Sequence, residues 1–309
     1  MQRDHHGDIG SAVARYGAGD WIDLSTGTNR RPWLGGDLPP RMPMAEARER
    51  LVQAAADRFG CLPAQVLPVA DALAAIPRLR SPGRAAVLGQ GDTGHAASLR
   101  AAGWQVAQVE RAEDMAGADL ALLANPGSTD GREWELRALR RLARRVGHLV
   151  LDEGLADPRP DLSLAPDLPA NVLVLRDLCP FWGLRGLGLV LADPALLDRL
   201  AGSPLPDGRA LHVGALALAD RDWADQTILY LSEAALRLDR LAVAAGWRMA
   251  GGTHLFRLYD TGDAAAAQDR LARAHVWTRR FGWSDRWLRL DIPAGHAEWD
   301  RLTASLRDP

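Results

Sequence analysis

Lysine does not occur in this 309-residue chain, so all 37 of its basic residues are arginines. A guanidinium group stays protonated and does not attack carbonyl carbons, which excludes any mechanism that needs an amine side chain for a Schiff base. A coding bias toward Arg, Ala, Gly and Pro is the simplest cause of this composition. The chemical exclusion holds whatever the cause.

Cysteine, long apolar runs and excess charge are also scarce. Cys61 and Cys179 are too few for a disulfide framework, which predicts a reducing, cytoplasmic location. No apolar run approaches the roughly 20 residues that cross a bilayer, and the opening MQRDHHGDIG lacks the apolar core of a secretion signal. A net charge of -2 gives no electrostatic support for nucleic-acid binding. No spacing of ligand residues predicts a metal site.

Apolar runs of strand length alternate with helical patterns through the first two thirds of the chain. This rhythm predicts an α/β fold with a doubly wound, mostly parallel sheet. The predicted strands are Arg84–Leu88, Trp104–Val109, Leu120–Ala124, Leu149–Leu151 and Val172–Leu175, and the predicted helices are Ala45–Phe59, Ala70–Leu79, His95–Ala102 and Glu133–Arg145.

The remaining segments predict three parts. Residues 1–44 read as an irregular arm that packs on the small domain, residues 45–208 as a large α/β domain, and residues 209–309 as a small α+β domain. Residues 210–245 have the pattern of a long helix, interrupted near Asp220–Asp222.

Two segments carry groups suited to a binding site. Asp152 and Glu153 end a predicted strand within the stretch Gly147–Leu191, where α/β enzymes present their chemistry; solvated loop charges are the alternative. The turn Ser25–Asn29 can offer backbone N–H groups and an amide to an anionic ligand, or it can be a turn and nothing more.

Several separated motifs together resemble one family. They are HHGDIGSAVARYG, WIDLSTGTN, the Asn-Pro pair at 125–126, LVLDEGLAD, and WLRL at 287–290. In this order they resemble fold-type-I pyridoxal-phosphate (PLP) enzymes, and more narrowly the L-threonine-O-3-phosphate decarboxylases of cobalamin biosynthesis, relatives of histidinol-phosphate aminotransferases. The resemblance implies PLP as cofactor, decarboxylation of L-threonine O-3-phosphate to aminopropanol phosphate, and a homodimer.

The resemblance also implies roles for individual residues. Asp152 matches the acid that keeps the pyridine nitrogen protonated, and Asn125 matches the residue that hydrogen-bonds the phenolic oxygen of the ring. Arg289 matches the arginine that clamps the substrate carboxylate. Asn29 and the turn at His6 and Gly7 match the arm that closes over the substrate.

Other positions depart from the pattern of the family. The Schiff-base lysine falls on Pro180, so the sequence offers no catalytic residue for covalent PLP chemistry. The phosphate-binding serine falls on Asp177, whose charge would repel a phosphate. The phosphate-binding arginine falls on Gly188, and Arg185 is the nearest candidate to replace it.

Two further loops are altered. Ala70-Asp71-Ala72 stands in place of a Gly-Ser-Gln phosphate turn, which puts an acid where the anion would bind. Residues 89–93 contain no aromatic side chain to stack on the pyridine ring. The sequence therefore excludes covalent attachment of PLP and argues against its noncovalent binding.

Three interpretations stay open. The chain is a threonine-phosphate decarboxylase of impaired catalysis, or an inactive family member that binds a phosphorylated amino acid or another small molecule and pairs with itself or an active paralogue. An aminotransferase of the histidinol-phosphate type is weaker, because it needs the same absent lysine.

Overall fold

The computed structural model describes residues 9–35, 42–79, 81–89 and 94–307, and structural statements refer to these residues. They form two compact units. The first comprises the described parts of 1–31, 129–132 and 224–309, and the second those of 32–128 and 133–223.

The secondary-structure elements are numbered in chain order. The helices are α1 (Ile9–Tyr16), α2 (Met44–Phe59), α3 (Ala72–Ala75), α4 (Gly94–Ala101), α5 (Leu136–Ala143), α6 (Cys179–Trp182), α7 (Pro194–Arg199), α8 (Gly208–Ala219), α9 (Arg221–Ala244), α10 (Ala264–Arg273) and α11 (His296–Arg307). The strands are β1 (Ile22–Asp23), β2 (Val66–Val69), β3 (Arg84–Leu88), β4 (Gln105–Val109), β5 (Leu120–Ala124), β6 (His148–Asp152), β7 (Val172–Asp177), β8 (Gly188–Ala192), β9 (Arg248–Gly252), β10 (Phe256–Asp260), β11 (Val276–Trp277), β12 (Arg279–Phe281) and β13 (Ser284–Asp291).

The second unit is built on a seven-stranded sheet of order β2-β8-β7-β6-β5-β3-β4. Only β8 runs against its neighbours, β7 and β2, so the sheet is mixed and mostly parallel, as the alternating pattern predicts. Strands β5, β6 and β7 are apolar along nearly their whole length because both faces of a parallel sheet are covered. The carboxyl ends of β5, β6 and β7 consequently lie at one edge.

Strand β2 was not predicted from the sequence. Pro68 lies in its middle, and proline cannot donate a ladder hydrogen bond, which argues against a central strand. The structure places β2 at the edge of the sheet, where Pro68 pairs with Leu189. The helix expected over 70–79 is likewise shorter: α3 ends at Ala75 and a 3-10 turn, Ile76–Arg78, contains Pro77.

The first unit contains a four-stranded antiparallel sheet of order β12-β13-β10-β9 and a parallel pair formed by β1 and β11. The pair joins Ile22 to Val276, so residues from the start of the chain add to this unit.

The long helical segment expected over 210–245 is two helices that meet at Asp220. Helix α8 packs on α2 and belongs to the second unit, whereas most of α9 belongs to the first. The compact units therefore change over near residues 31 and 223, while the predicted boundaries lie at 44 and 208.

In the described part of the chain, no helix combines the length and apolar character that crossing a lipid bilayer requires.

Candidate active site and its altered cofactor residues

Asn125 and Asp152 lie side by side at the carboxyl edge of the large sheet. Strands β5 and β6 run parallel with Ala124 opposite Asp152, and the Asn125 N–H donates to the Asp152 carbonyl at 2.9 Å. The Asn125 side chain is fully buried. Its Nδ2 donates to the Leu162 carbonyl at 3.0 Å, and its Oδ1 accepts from the Trp134 N–H at 2.9 Å. The Asn125 amide thus hydrogen-bonds the loops that contain Trp134 and Leu162, beside the end of β6.

Asp152 is held as a carboxylate by a histidine that the sequence analysis did not assign to the site. Its Oδ2 lies 2.7 Å from His95 Nε2, and its Oδ1 accepts the Gly154 N–H at 3.0 Å. Burial alone would raise the pKa of Asp152, but the hydrogen bond and charge of His95 bring the pKa below its ordinary value. His95 is on α4, which follows β3; its position at the start of a helix beyond a buried strand is the signal that could have identified it.

Helix α6 is separated from the end of β7 by one residue and contains Pro180, where the resemblance puts the family lysine. Pro180 is the second residue of this four-residue helix, where proline is tolerated because its missing N–H would have no intrahelical partner. Asp177, the last residue of β7, accepts the Cys179 N–H through Oδ1 at 2.9 Å. An internal carboxylate therefore takes a backbone donor at the start of the helix.

Asp71 and Gly188, which the resemblance puts at phosphate contacts of the family, lie around the start of α3. Asp71 caps this helix by accepting the Ala74 N–H at 3.0 Å. A Cβ added at Gly188 would lie 3.2 Å from the Ala72 Cβ and 3.3 Å from the Ala72 nitrogen, so position 188 faces the same helix end. Asp177 is part of this group too.

The acids of this cluster repel one another. Burial raises the pKa of Asp177, and the negative charges of Asp152 and Asp71 raise it further, while Arg185 and the Cys179 N–H lower it. Gly154 bridges the group, since a Cβ there would lie 3.2 Å from Asp152 Oδ1 and 3.4 Å from the Asp177 Cβ. We call Asp71, Asp152, Asp177 and His95 the strand-end cluster.

Arg289 forms a separate site within the first unit. It is 3% exposed on β13, and its Nη2 donates to the Ser25 carbonyl at 2.8 Å. Its guanidinium carbon lies 4.7 Å from the centre of the Phe256 ring. Burial lowers the pKa of Arg289 to about 10, although the charge of Asp291 acts in the opposite direction.

The turn that precedes Asn29 touches Arg289. Gly27 has φ +77, and a Cβ added to it would lie 3.1 Å from Arg289 Nη2, so glycine serves both the backbone conformation and the close approach. The buried Asn29 amide closes the end of the turn: its Oδ1 accepts the Arg31 N–H and its Nδ2 donates to the Arg31 carbonyl, both at 2.9 Å. The structure thus brings Arg289 to the turn that contains Asn29. His6 and Gly7 lie outside the described residues.

Two curated proteins that match nearly the whole of this chain are threonine-phosphate decarboxylases. A threonine-phosphate decarboxylase from Pseudomonas aeruginosa is 37% identical over 98% of this chain and 97% of its own length. A threonine-phosphate decarboxylase from a Sinorhizobium species is 34% identical over the same shares of the two chains. This chain belongs to the threonine-phosphate decarboxylase family.

Solved structures support the fold of this family member. Histidinol-phosphate aminotransferase from Sinorhizobium meliloti, in complex with pyridoxal-5'-phosphate, superposes with a TM-score of 0.78 at 22% identity over 96% of this chain and 92% of that one. Aspartate aminotransferase from Thermus thermophilus gives 0.76 at 18% identity over 99% and 96%. The predicted fold-type-I architecture is confirmed. No protein-family model matches the chain.

The residues of the strand-end cluster do not fit the cofactor of the family. A PLP phosphate at the start of α3 would meet the Asp71 carboxylate, which already accepts the Ala74 N–H, and would lie near Asp177. No arginine stands at Gly188, and the chain has no lysine side chain at Pro180 or at any other position. The Asp152 carboxylate lies 2.7 Å from His95 Nε2.

Proposed function

We propose that this member of the threonine-phosphate decarboxylase family has lost the covalent chemistry of the family and acts as a binding or partner protein, with catalysis impaired or absent. The observation that carries the proposal is the replacement of the lysine by Pro180 in a chain without lysine. The strand-end cluster adds independent support, because two carboxylates take positions that an anionic phosphate would need. One substitution could be compensated; the simultaneous change of anchor and phosphate contacts could not.

The ligand proposed for the protein is a phosphorylated amino acid or a related small molecule, in keeping with the names of its relatives. Arg289 and Asn29 would meet it, as the resemblance to the family implies. The proposal includes a cytoplasmic location and a homodimer, or a heteromer with an active, lysine-containing paralogue. Sedimentation of the purified chain, alone and mixed with such a paralogue, tests the assembly; a monomer in both mixtures would contradict it.

Purified protein mixed with PLP tests the loss of covalent chemistry. We expect no PLP adduct on any side chain after borohydride treatment, because the chain has no lysine to form an aldimine. The α-amino group also reacts with PLP, so peptide mass spectrometry is used to distinguish an adduct there from one within the site. The Pseudomonas aeruginosa relative, treated in parallel, serves as the reference. A borohydride-stable PLP adduct on a side chain of this protein would overturn the proposal.

Two variants separate the missing lysine from the acidic surroundings. Pro180→Lys alone is expected not to restore decarboxylation of L-threonine O-3-phosphate, because Asp71 and Asp177 remain. Pro180→Lys combined with Asp71→Ser and Asp177→Ser is expected to bind PLP more tightly than the single variant, as measured by equilibrium dialysis. Full activity of the single variant would show that the acids do not obstruct the phosphate.

A further inference from the structure

The turn at Ser25–Thr28 already binds an anion, and that anion is a side chain of the same unit. Asp291 is 0% exposed at the end of β13. Its Oδ2 accepts the Gly27 N–H at 2.7 Å, the Thr26 hydroxyl at 2.9 Å and the Thr28 N–H at 3.4 Å. The backbone donors that the sequence offered to an external anion are therefore used within the chain.

Two arginines lie on the sheet beside this carboxylate. Arg289 precedes Asp291 by two residues on β13, so both side chains leave the same face of the sheet. Arg279 on β12 pairs directly with Arg289 across the strands. Two like charges opposite each other are destabilising unless an opposite charge balances them. Burial lowers the pKa of both arginines, and the charge of Asp291 opposes this lowering.

The hydrogen bonds to Asp291 favour its ionised form. Burial raises the pKa of Asp291 above its ordinary value, and Arg289 and the donors of the turn offset part of that rise. Its Oδ2 is fully used as an acceptor, and its Oδ1 is buried with no hydrogen-bond partner. A proton on Oδ1 would thus have no acceptor, and a neutral acid would leave the arginine charges unbalanced.

We propose that Asp291 is a built-in ligand of a carboxylate-binding site formed by the Gly27 and Thr28 N–H groups and Arg289, and that an external carboxylate binds there only when it displaces Asp291. Within the proposed function, which takes Arg289 for the residue that meets the substrate carboxylate, Asp291 has taken the place of that carboxylate. The ligand class of the uncovered site is a small monocarboxylate. The buried arginine and the unpartnered Oδ1 distinguish this turn from an ordinary capped turn.

Removal of the Asp291 carboxylate should uncover the site. In Asp291→Gly we expect formate to raise the temperature of half-unfolding. We also expect formate to bind with an affinity at least about tenfold higher than in wild type, because the free energy of charge-assisted hydrogen bonds to a carboxylate is larger than the free energy of a tenfold change in affinity. Sodium chloride at equal ionic strength and neutral formamide are the comparison solutes. An unfolded Asp291→Gly protein that refolds in formate, and not in formamide, would give the same support.

A matched carboxylate elsewhere in the unit provides the control. Asp263 accepts the N–H groups of Ala265 and Ala266, both at 2.9 Å, in an exposed cap without a buried arginine. Formate is expected not to stabilise Asp263→Gly. Equal formate affinity of wild type and Asp291→Gly, or no rescue of Asp291→Gly while Asp291→Asn folds, would overturn the inference. The measurement needs neither PLP nor turnover, so it fails independently of the loss of covalent chemistry.

Discussion

The buried ion pair between Arg176 and Glu153 provides the sharpest test of how the large unit is stabilised. Arg176 is 1% exposed and Glu153 is 0% exposed, and Nη2 lies 3.0 Å from Oε2. Arg176 Nη1 also donates to the Glu153 carbonyl at 3.3 Å, and the guanidinium carbon lies 4.4 Å from the centre of the Phe59 ring. Glu153 accepts the Ser163 hydroxyl and the Leu164 N–H as well.

Arg176→Met removes the positive charge but keeps apolar volume against Phe59. The variant leaves a buried carboxylate without its counter-charge, which costs about 3–5 kcal/mol of unfolding free energy. Glu153→Gln in the same chain removes the stranded charge, so we expect the double variant to be clearly more stable than Arg176→Met alone. Urea unfolding of the four proteins of this double-mutant cycle, followed by circular dichroism, gives the coupling energy.

The pH dependence of this cost has a definite sign. Burial raises the pKa of Glu153, and Arg176 partly offsets the rise. Loss of Arg176 raises this pKa further, so the penalty is small below the ordinary value of 4.5 and develops as pH rises through the folded-state pKa. A cost of Arg176→Met below about 1 kcal/mol at pH 7, or one that does not shrink in acid, would refute the reasoning.

Two further predictions concern the strand-end cluster. Asp71→Ala is expected to cost about 1 kcal/mol of unfolding free energy through loss of the α3 cap, whereas Asp71→Ser keeps a cap and costs less; urea unfolding compares them, and equal costs would contradict the capping role. His95→Phe is expected to raise the pKa of Asp152, because the hydrogen bond and charge that offset its burial are lost, so that stability falls less on acidification than in wild type; a carbon-13 titration of the Asp152 carboxyl that matches wild type would contradict the pairing with His95.

Much of the fold could be predicted from local patterns in the sequence. Strands β3 and β5 have the predicted bounds, because short apolar runs between turn residues have few alternatives. Strand β2 was not predicted, because a proline such as Pro68 is compatible only with an edge strand. Which strand lies at the edge depends on the tertiary arrangement of the sheet.

Some residues of the candidate sites could be predicted from the sequence and others could not. Asn125 and Asp152 were assigned from the resemblance to the family, and Asp152 also because it ends a predicted strand; the sheet places the two residues side by side. The partnership of His95 with Asp152 spans 57 positions, and that of Asp291 with Gly27 spans 264. Such pairings depend on tertiary packing, which no local periodicity encodes.

The cap that Asp71 places on α3 has a consequence for the history of this protein. A helix that takes its capping charge from its own chain gains no folding energy there from a dissolved phosphate, so cellular abundance need not follow the supply of vitamin B6. Removing the Asp71 side chain to make room for the phosphate would cost about 1 kcal/mol of capping energy before any bound cofactor could compensate, whereas a serine there would keep part of the cap.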